Sequence, residues 1–252
     1  MNNNITLKAN LPVNACTVTL GEKYKSRLDS ALRELGMSPL YVPDNPYVDE
    51  RLSGHADLSV LHIGGNRLVL APFLKNTHFS DELKELGYDI VYPEIKMGRE
   101  YPADAMLNIC VCGSLFFYNP KTADKSCVEL LSSAGLEGLE VNQGYTKCSI
   151  CVMDESSIIT SDRGIHSTAL KAGFDSLLIS DGNIELEGFP YGFIGGSGFK
   201  ASAGKLAFTG LVNAHPDAEK ILDFLKSRGI EPVFLTDGTI FDIGSILPLT
   251  EK

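Results

Sequence analysis

The stretch ALRELGMSPLYVP at residues 31–43 has the pattern of a helix end, a glycine and a short apolar strand. The same order recurs in ELKELGYDIVYPE, LLSSAGLEGLEVN, ALKAGFDSLLISD and DFLKSRGIEPVFL, at residues 82–94, 130–142, 169–181 and 223–235. In each, the glycine stands where a helix ends in a left-handed residue, a conformation that is cheap only without a Cβ. The apolar run after it predicts a short buried strand. Five such units indicate a repeat of roughly 40–50 residues.

The segments ahead of the helices also resemble one another. HADLSVLHIGGNRLVLAP at residues 55–72 predicts two apolar strands around a tight turn. Residues 103–120, 145–162 and 192–210 follow the same plan, and Ser, Thr or Asp residues near the next helix can cap its first N–H groups. The repeated unit is therefore strand, strand, helix, strand.

The chain begins and ends within a unit. NACTVTL at residues 14–20 predicts a strand that leads directly into a helix, and TIFDIGSILPL at residues 239–249 predicts a strand without a hairpin mate. Pairing of the last strand with the first would close five ββαβ units into a pseudo-five-fold α/β ring, which removes open sheet edges. The alternative is an ordinary α/β sandwich with coincidental spacing. We expect residues 1–252 to form a single domain.

Composition limits the classes of function. Hydrophobic residues make up 44% and charged residues 21% of the chain, as in globular proteins, and no apolar run is long enough to cross a bilayer. The net charge of −10 and the lack of basic runs argue against a nucleic-acid partner. Without a signal-peptide pattern, a cytoplasmic location and reduced, buried cysteines are expected. The spacing of Cys148 and Cys151 fits no zinc motif, so neither a metal nor a cofactor is predicted.

A ring of five ββαβ units resembles the pentein superfamily, which includes arginine and agmatine deiminases, dimethylarginine dimethylaminohydrolase, amidinotransferases and a non-enzymatic ribosome anti-association factor. The resemblance covers nearly the whole chain. It implies a central channel in which two acidic residues hold a guanidinium group, a His moves protons and a Cys attacks the guanidinium carbon. This chemistry fits general rules, because carboxylates match a planar cation and a thiolate is a strong nucleophile.

The two hallmark residues are replaced in this chain. The superfamily's Cys usually follows a glycine-rich stretch. In DIGSILPL, Gly244, Ser245 and Ile246 match that stretch, and Pro248 occupies the place of the nucleophile. YTKCS places Tyr145 where the superfamily's His stands. The chain is therefore similar to a bacterial branch that lacks the usual catalytic pair.

Acidic residues precede two of the predicted first strands. By position, the resemblance implies that Asp57 and Asp104 grip the ligand; the alternative is that each caps a turn. Asn108 would share a face with Asp104 on a regular strand. His55 is two residues from Asp57, near the channel rim, where it could act as a general base, or it could be a surface residue in a loop.

The segment from Tyr145 to Ser149 is expected to begin a strand that reaches the channel. A nearby cation would lower the pKa of the Cys148 thiol. Strand alternation, however, allows either Tyr145, Lys147 and Ser149 or Thr146 and Cys148 to face the channel. Cys148 is then either a relocated nucleophile, with His55 as its base, or a buried packing residue.

A glycine-rich stretch and the C-terminal strand complete the predicted channel wall. GFIGGSGF at residues 192–199 lacks the Walker lysine and predicts a strand interrupted by glycines, where a ligand or another backbone comes close. Its channel residues would be Gly195, Gly196 and Ser197, and Asp242 and Ser245 would join them from the last strand.

The leading functional hypothesis is a central site for a small polar or cationic ligand, such as an amine or guanidino compound. One alternative is a hydrolase or transferase that acts on guanidino or amidino compounds through Cys148. Another is a non-catalytic protein-interaction module, since the superfamily includes one. Neither a nucleic-acid nor a membrane partner is expected.

Overall fold

The computed structural model describes residues 4–252. Six α-helices lie in this part of the chain: α1 (Lys25–Glu34), α2 (His78–Glu85), α3 (Lys125–Ser133), α4 (Thr146–Ser149), α5 (Arg163–Lys171) and α6 (Ala218–Ser227). All except α4 precede the last strand of a unit, as the sequence pattern predicts. Across residues 4–252, no helix combines the length and the apolar character needed to cross a bilayer.

The same residues form sixteen strands, which are β1 (Asn4–Ile5), β2 (Ala15–Gly21), β3 (Ser38–Val42), β4 (Val60–Gly64), β5 (Arg67–Leu70), β6 (Asp89–Val91), β7 (Cys110–Cys112), β8 (Leu115–Tyr118), β9 (Glu137–Glu140), β10 (Cys151–Asp154), β11 (Ser157–Thr160), β12 (Asp175–Leu178), β13 (Gly198–Ser202), β14 (Lys205–Phe208), β15 (Glu231–Phe234) and β16 (Leu247–Glu251).

Within the described residues, these strands form five small sheets with one repeated plan. Four sheets have three strands each, in the orders β4-β5-β6, β7-β8-β9, β10-β11-β12 and β13-β14-β15. The first two strands of each are antiparallel, and the third, which follows the helix, is parallel to the second. The predicted unit of strand, strand, helix and strand is confirmed.

The fifth sheet closes the ring. Its order is β1-β16-β2-β3, and β16 runs antiparallel to β2, with Leu247 opposite Thr19. The predicted pairing of the last strand with the strand at residues 14–20 is therefore confirmed, and the sandwich alternative is wrong. Pro248 lies in this sheet opposite Val18.

Glycines end five of the helices as the sequence predicts. Each follows its helix with a positive φ between 65° and 95°, which a side chain would strain; they are Gly36, Gly87, Gly135, Gly173 and Gly229. Three helix starts are capped by side chains that accept backbone N–H groups, from Thr77, Asp124 and Asp162.

The hydrophobic core lies between neighbouring units. In one cluster, Leu28 and Leu32 of α1 pack with Val18 and Leu20 of β2 and with Phe199 of the next unit's β13. Burial of each such side chain stabilises the fold by about 1.5–3 kcal/mol. Because each unit shares its core with a neighbour, the loops that precede the first strands are held at the centre of the ring.

Candidate active site at the centre of the ring

The segment from Tyr145 to Ser149 forms a helical turn, α4, and not the predicted strand. The Asn108 side chain explains the difference, because its Oδ1 accepts hydrogen bonds from the backbone N–H groups of both Lys147 (2.7 Å) and Cys148 (3.3 Å). Adjacent N–H groups point to one side in a helix and to opposite sides in a strand. The choice between two strand faces is therefore wrong, and Lys147 and Cys148 both contribute side chains to one buried cluster.

A chain of hydrogen bonds links Lys147 to Asp57. Lys147 Nζ donates to Ser245 Oγ over 2.9 Å, and Ser245 Oγ donates to Asp57 Oδ2 over 2.8 Å. All three residues are buried. Gly195 contributes its carbonyl oxygen, which lies 2.9 Å from Ser245 Oγ and 3.5 Å from Lys147 Nζ. Lys147 is thus a buried cation whose charge faces the Asp57 carboxyl.

The Cys148 thiol joins the same cluster. Cys148 Sγ donates to Asp57 Oδ2 over 3.0 Å and accepts from Asn108 Nδ2 over 3.3 Å. Burial, reinforced by the charges of Asp57 and Asp242, raises the pKa of this thiol well above its usual range. Cys148 is therefore a neutral thiol in the ligand-free protein.

His55 and Asp57 lie on a short 3₁₀ turn (Ala56–Leu58) and its N-cap, ahead of β4. His55 is only 3% exposed, so the alternative of a surface histidine in a loop is wrong. Burial lowers the pKa of His55 to about 4 and raises that of Asp57. Among residues 4–252, His55 Nε2 and Asp57 Oδ1 are buried without a hydrogen-bond partner.

Asp242 is a second buried carboxyl beside this cluster. Its oxygens accept from the backbone N–H groups of Phe193 (2.8 Å) and Gly244 (2.9 Å). The backbone comes so close that a Cβ on Gly196 would lie 1.8 Å from Asp242 Oδ1. Burial raises the pKa of Asp242 to about 6, against the two N–H groups and the charge of Lys147, which lower it.

Asp104 and Asn108 lie in the loop before β7, not on a strand, so the prediction that strand alternation places them on one face is wrong. Both nevertheless contact the α4 segment. Asp104 Oδ2 accepts from the Tyr145 hydroxyl over 2.5 Å, and burial raises the pKa of Asp104. Asp104 thus orients the residue that stands where the resemblance implies a His.

The glycine-rich stretch is irregular up to Gly198, where β13 begins, and is not the predicted interrupted strand. Its three predicted channel residues differ in position. The Gly195 carbonyl oxygen lies near Lys147 Nζ, and Gly196 packs against the Asp242 carboxyl. The Ser197 hydroxyl instead donates to the backbone oxygens of Phe193 and Ile194. Ser197 therefore contacts its own loop and not the cluster.

A cavity of about 240 Å³ adjoins this cluster. His55, Tyr145, Cys148 and Asp242 supply its polar groups. The rest of its wall is apolar and aromatic: Leu52, Leu186, Phe189, Pro190, Tyr191 and Phe193. Most of these lie in the loop before β13, outside the predicted channel wall; the aromatic run GFPYGF at residues 188–193 is the sequence signal that marks this loop.

Comparison with solved structures shows the same fold in enzymes of very different sequence. The inosamine-phosphate amidinotransferase StrB1 from Streptomyces griseus is 10% identical, with a TM-score of 0.59 over 100% of this chain and 98% of that one. Agmatine deiminase from C. jejuni with substrate bound is 11% identical, with a TM-score of 0.56 over 100% and 98%. DDAH from Pseudomonas aeruginosa, complexed with citrulline, is 11% identical, with a TM-score of 0.52 over 89% and 92%.

These similarities establish the pentein fold that the repeats predict. No curated protein matches the sequence. The sequence model of DUF6873, a family of unknown function, matches residues 19–247, so the chain belongs to that family and has the fold of the pentein superfamily.

Proposed function

We propose that this protein binds a small organic cation, an amine or a guanidino compound, in the 240 Å³ cavity. The observation that carries the proposal is the Asp242 carboxyl, which lies in the wall of a cavity whose other sides are largely aromatic. Both a carboxylate and the faces of aromatic rings attract a cation electrostatically, so this cavity can stabilise a bound cation in two ways. The volume is below the range of drug-sized ligand sites, which favours a small molecule.

The charges around the cavity support a cationic ligand. Asp57 and Asp242 contribute two negative charges when ionised, and Lys147 contributes one positive charge. His55 is neutral above pH 4, because burial lowers its pKa to about 4. A monovalent cation would balance the remaining negative charge, and buried charges require such pairing. Proteins of the same fold provide further support, because they are named as amidinotransferases and agmatine deiminase or were solved with citrulline.

We expect arginine or agmatine, or a simple diamine, to raise the melting temperature of the full chain, and neutral citrulline to leave it unchanged. A ligand at a hundred times its Kd stabilises the native state by about 2.7 kcal/mol. Differential scanning fluorimetry, followed by calorimetric titration of any cation that shifts the transition, measures the effect. Asp242→Asn should abolish the shift, and the exposed control Asp237→Asn should retain it.

The pH dependence is an independent check on the same carboxyl. The pKa of Asp242 in the ligand-free protein is about 6, so the carboxylate is present above pH 6 and lost below it. Affinity should therefore fall roughly tenfold per pH unit below about pH 6. Asp57, whose pKa is also raised, acts in the same direction. A shift that persists in Asp242→Asn, or that citrulline also produces, would contradict cation binding.

A second candidate function is hydrolysis or transfer of an amidino group with Cys148 as nucleophile. The observation that favours it is that Cys148, His55 and Asp57 place their reactive atoms within 4.8 Å of one another, with Cys148 and His55 on the cavity wall. The thiol proton would pass to Asp57, which Cys148 Sγ contacts directly, and not to His55, the base that the sequence analysis predicts, and then to the leaving nitrogen. Sulfur would bond to the amidino carbon as the C–N bond breaks, and water or an acceptor amine would then cleave the C–S bond and restore the thiol.

This mechanism requires iodoacetamide to label Cys148 before the other five cysteines. All six thiols are free and buried in the described chain, so access through the cavity, and not surface exposure, would distinguish Cys148. Peptide mass spectrometry across a time course measures the order, with the buried Cys127 of α3 as internal reference. Uniformly slow labelling would exclude Cys148 as the nucleophile.

We also infer that residues 1–252 act as one domain and that the protein works in the cytoplasm. The family match from residue 19 to 247 and the pairing of β2 with β16 support the first inference. The six free thiols support the second, because reducing compartments keep cysteines in this state.

A further inference from the structure

Three potential metal ligands converge beside the cavity. A ring nitrogen of His55, a carboxylate oxygen of Asp57 and the sulfur of Cys148 all lie within 4.8 Å of one another. The three residues are only 3%, 2% and 1% exposed. His55 and Asp57 come from the turn before β4 and Cys148 from α4, so the ligands are distant in sequence. This separation is why the spacing of cysteines and histidines predicts no metal site.

Two atoms of this group lack the hydrogen bonds that buried polar atoms need. In the described chain, His55 Nε2 and Asp57 Oδ1 are both buried and unpartnered. An unsatisfied buried polar group costs about 1–3 kcal/mol, so each of these two atoms requires an explanation. A bound cation would satisfy both atoms.

The neighbouring contacts orient two of the three ligands, Asp57 and Cys148. Ser245 Oγ donates to Asp57 Oδ2 over 2.8 Å, which leaves Oδ1 for a metal. Asn108 Nδ2 lies 3.3 Å from Cys148 Sγ and can donate to a thiolate there, while its Oδ1 is fixed by the backbone of α4. Outer hydrogen bonds of this kind fix metal ligands and tune their basicity.

We propose that His55, Asp57 and Cys148 bind one Zn²⁺ ion, with the fourth coordination position facing the cavity. A set of one nitrogen, one oxygen and one sulfur ligand suits zinc, and three protein ligands with one open position are typical of catalytic zinc. The candidate ligand atoms of the three residues lie within 4.8 Å of one another. Tetrahedral zinc with bonds of 2.0–2.3 Å needs ligands roughly 3.5 Å apart, so binding would draw the three side chains closer together.

Charge also favours a divalent ion. Binding would release the thiol proton to solvent, so Cys148, Asp57 and Asp242 would together carry three negative charges. Zn²⁺ and Lys147 would supply three positive charges. The zinc site goes beyond the proposed binding of an organic cation, and the two occupants should compete, because either one balances the negative charge of the cavity.

Cobalt titration of the full chain, treated first with EDTA, tests the proposal. Co²⁺ should bind one per chain, with visible ligand-field bands and a near-ultraviolet sulfur-to-cobalt charge-transfer band, and Zn²⁺ should displace it. Cys148→Ala should lose the charge-transfer band and His55→Ala should weaken binding at least tenfold, whereas Cys127→Ala, which removes a buried thiol of α3, should change neither. Circular dichroism verifies that each variant is folded.

The opposite results would overturn the zinc site: no charge-transfer band in the unaltered chain, or a band that survives in Cys148→Ala. These outcomes are separable from those for organic-cation binding. Asp242→Asn should keep the cobalt spectrum while it loses the melting shift with arginine or agmatine. If the variant keeps both, the cation proposal fails and the zinc proposal stands.

Discussion

Lys147→Met is expected to lower the free energy of unfolding by about 3–5 kcal/mol at pH 7.5, which is the cost of removing one partner from a buried charged cluster. Lys147 is 5% exposed, and its Nζ donates to Ser245 Oγ, which in turn donates to Asp57. Methionine keeps most of the side-chain volume but removes the charge. Asp57 and Asp242 would then lie together in the interior without a cation.

Urea denaturation followed by circular dichroism measures the loss. Lys200→Met is the matched control, because Lys200 is also buried but donates to the Ala203 backbone oxygen and lies outside this cluster. Burial lowers the pKa of Lys200 to about 8, so its removal should cost no more than about 1 kcal/mol. The double variant Lys147→Met with Asp57→Asn should recover part of the loss. Equal losses at Lys147 and Lys200 would show that the cluster is not electrostatically coupled.

Gly195→Ala is expected to destabilise the protein by about 3 kcal/mol or more, at the upper end of what overpacking costs. A Cβ at this position would lie 2.3 Å from the Ile150 backbone oxygen and 2.5 Å from the Lys147 backbone oxygen. Backbone atoms cannot rotate away as a side chain can, so α4 itself would have to move. The same movement would displace Lys147 and Cys148 from the site.

Gly204→Ala is the control for this substitution. Gly204 lies in the turn between β13 and β14, and no heavy atom of the described chain lies within 4 Å of a Cβ placed there, its immediate chain neighbours aside. Its effect on unfolding should stay within about 0.5 kcal/mol. Urea midpoints of the two variants give the comparison directly. If both variants lose the same stability, close packing at Gly195 is not what positions α4.

Most of the fold follows from local sequence signals. Five helices end in a left-handed backbone conformation that glycine adopts without strain. Gly36 and its four counterparts therefore mark the repeat in the sequence, with no knowledge of tertiary contacts. The hairpins likewise depend on alternation and turn residues. Closure of the ring was predictable because an open edge strand is unfavourable, and the partial units at the two ends could pair.

The site could be predicted only in part, because tertiary contacts decide its geometry. Local pattern favours a strand at residues 145–149, but Asn108, nearly 40 positions away, captures two adjacent N–H groups and makes the segment helical. Position in the unit marks Asp57 as a candidate, and His55 follows from its place two residues before Asp57, but a Gly-flanked loop gives no sign that both are buried. The environment of Asp242 depends on glycines such as Gly196, which let the backbone of a distant segment lie directly against its carboxyl. Such a contact between distant segments is not visible in a local pattern.

The pairing of β16 with β2 has a consequence for how the molecule folds. Asp57 and Ser245, which share a hydrogen bond in the site, are separated by 188 positions, whereas each hairpin and each strand–helix–strand step is local. Contacts of such high sequence separation form slowly, because the entropy of closing the intervening loop must be overcome first. The chain of hydrogen bonds from Lys147 to Asp57 passes through Ser245, so it is complete only when the C-terminal segment has joined the ring. A ligand of this site would therefore bind only to fully folded molecules.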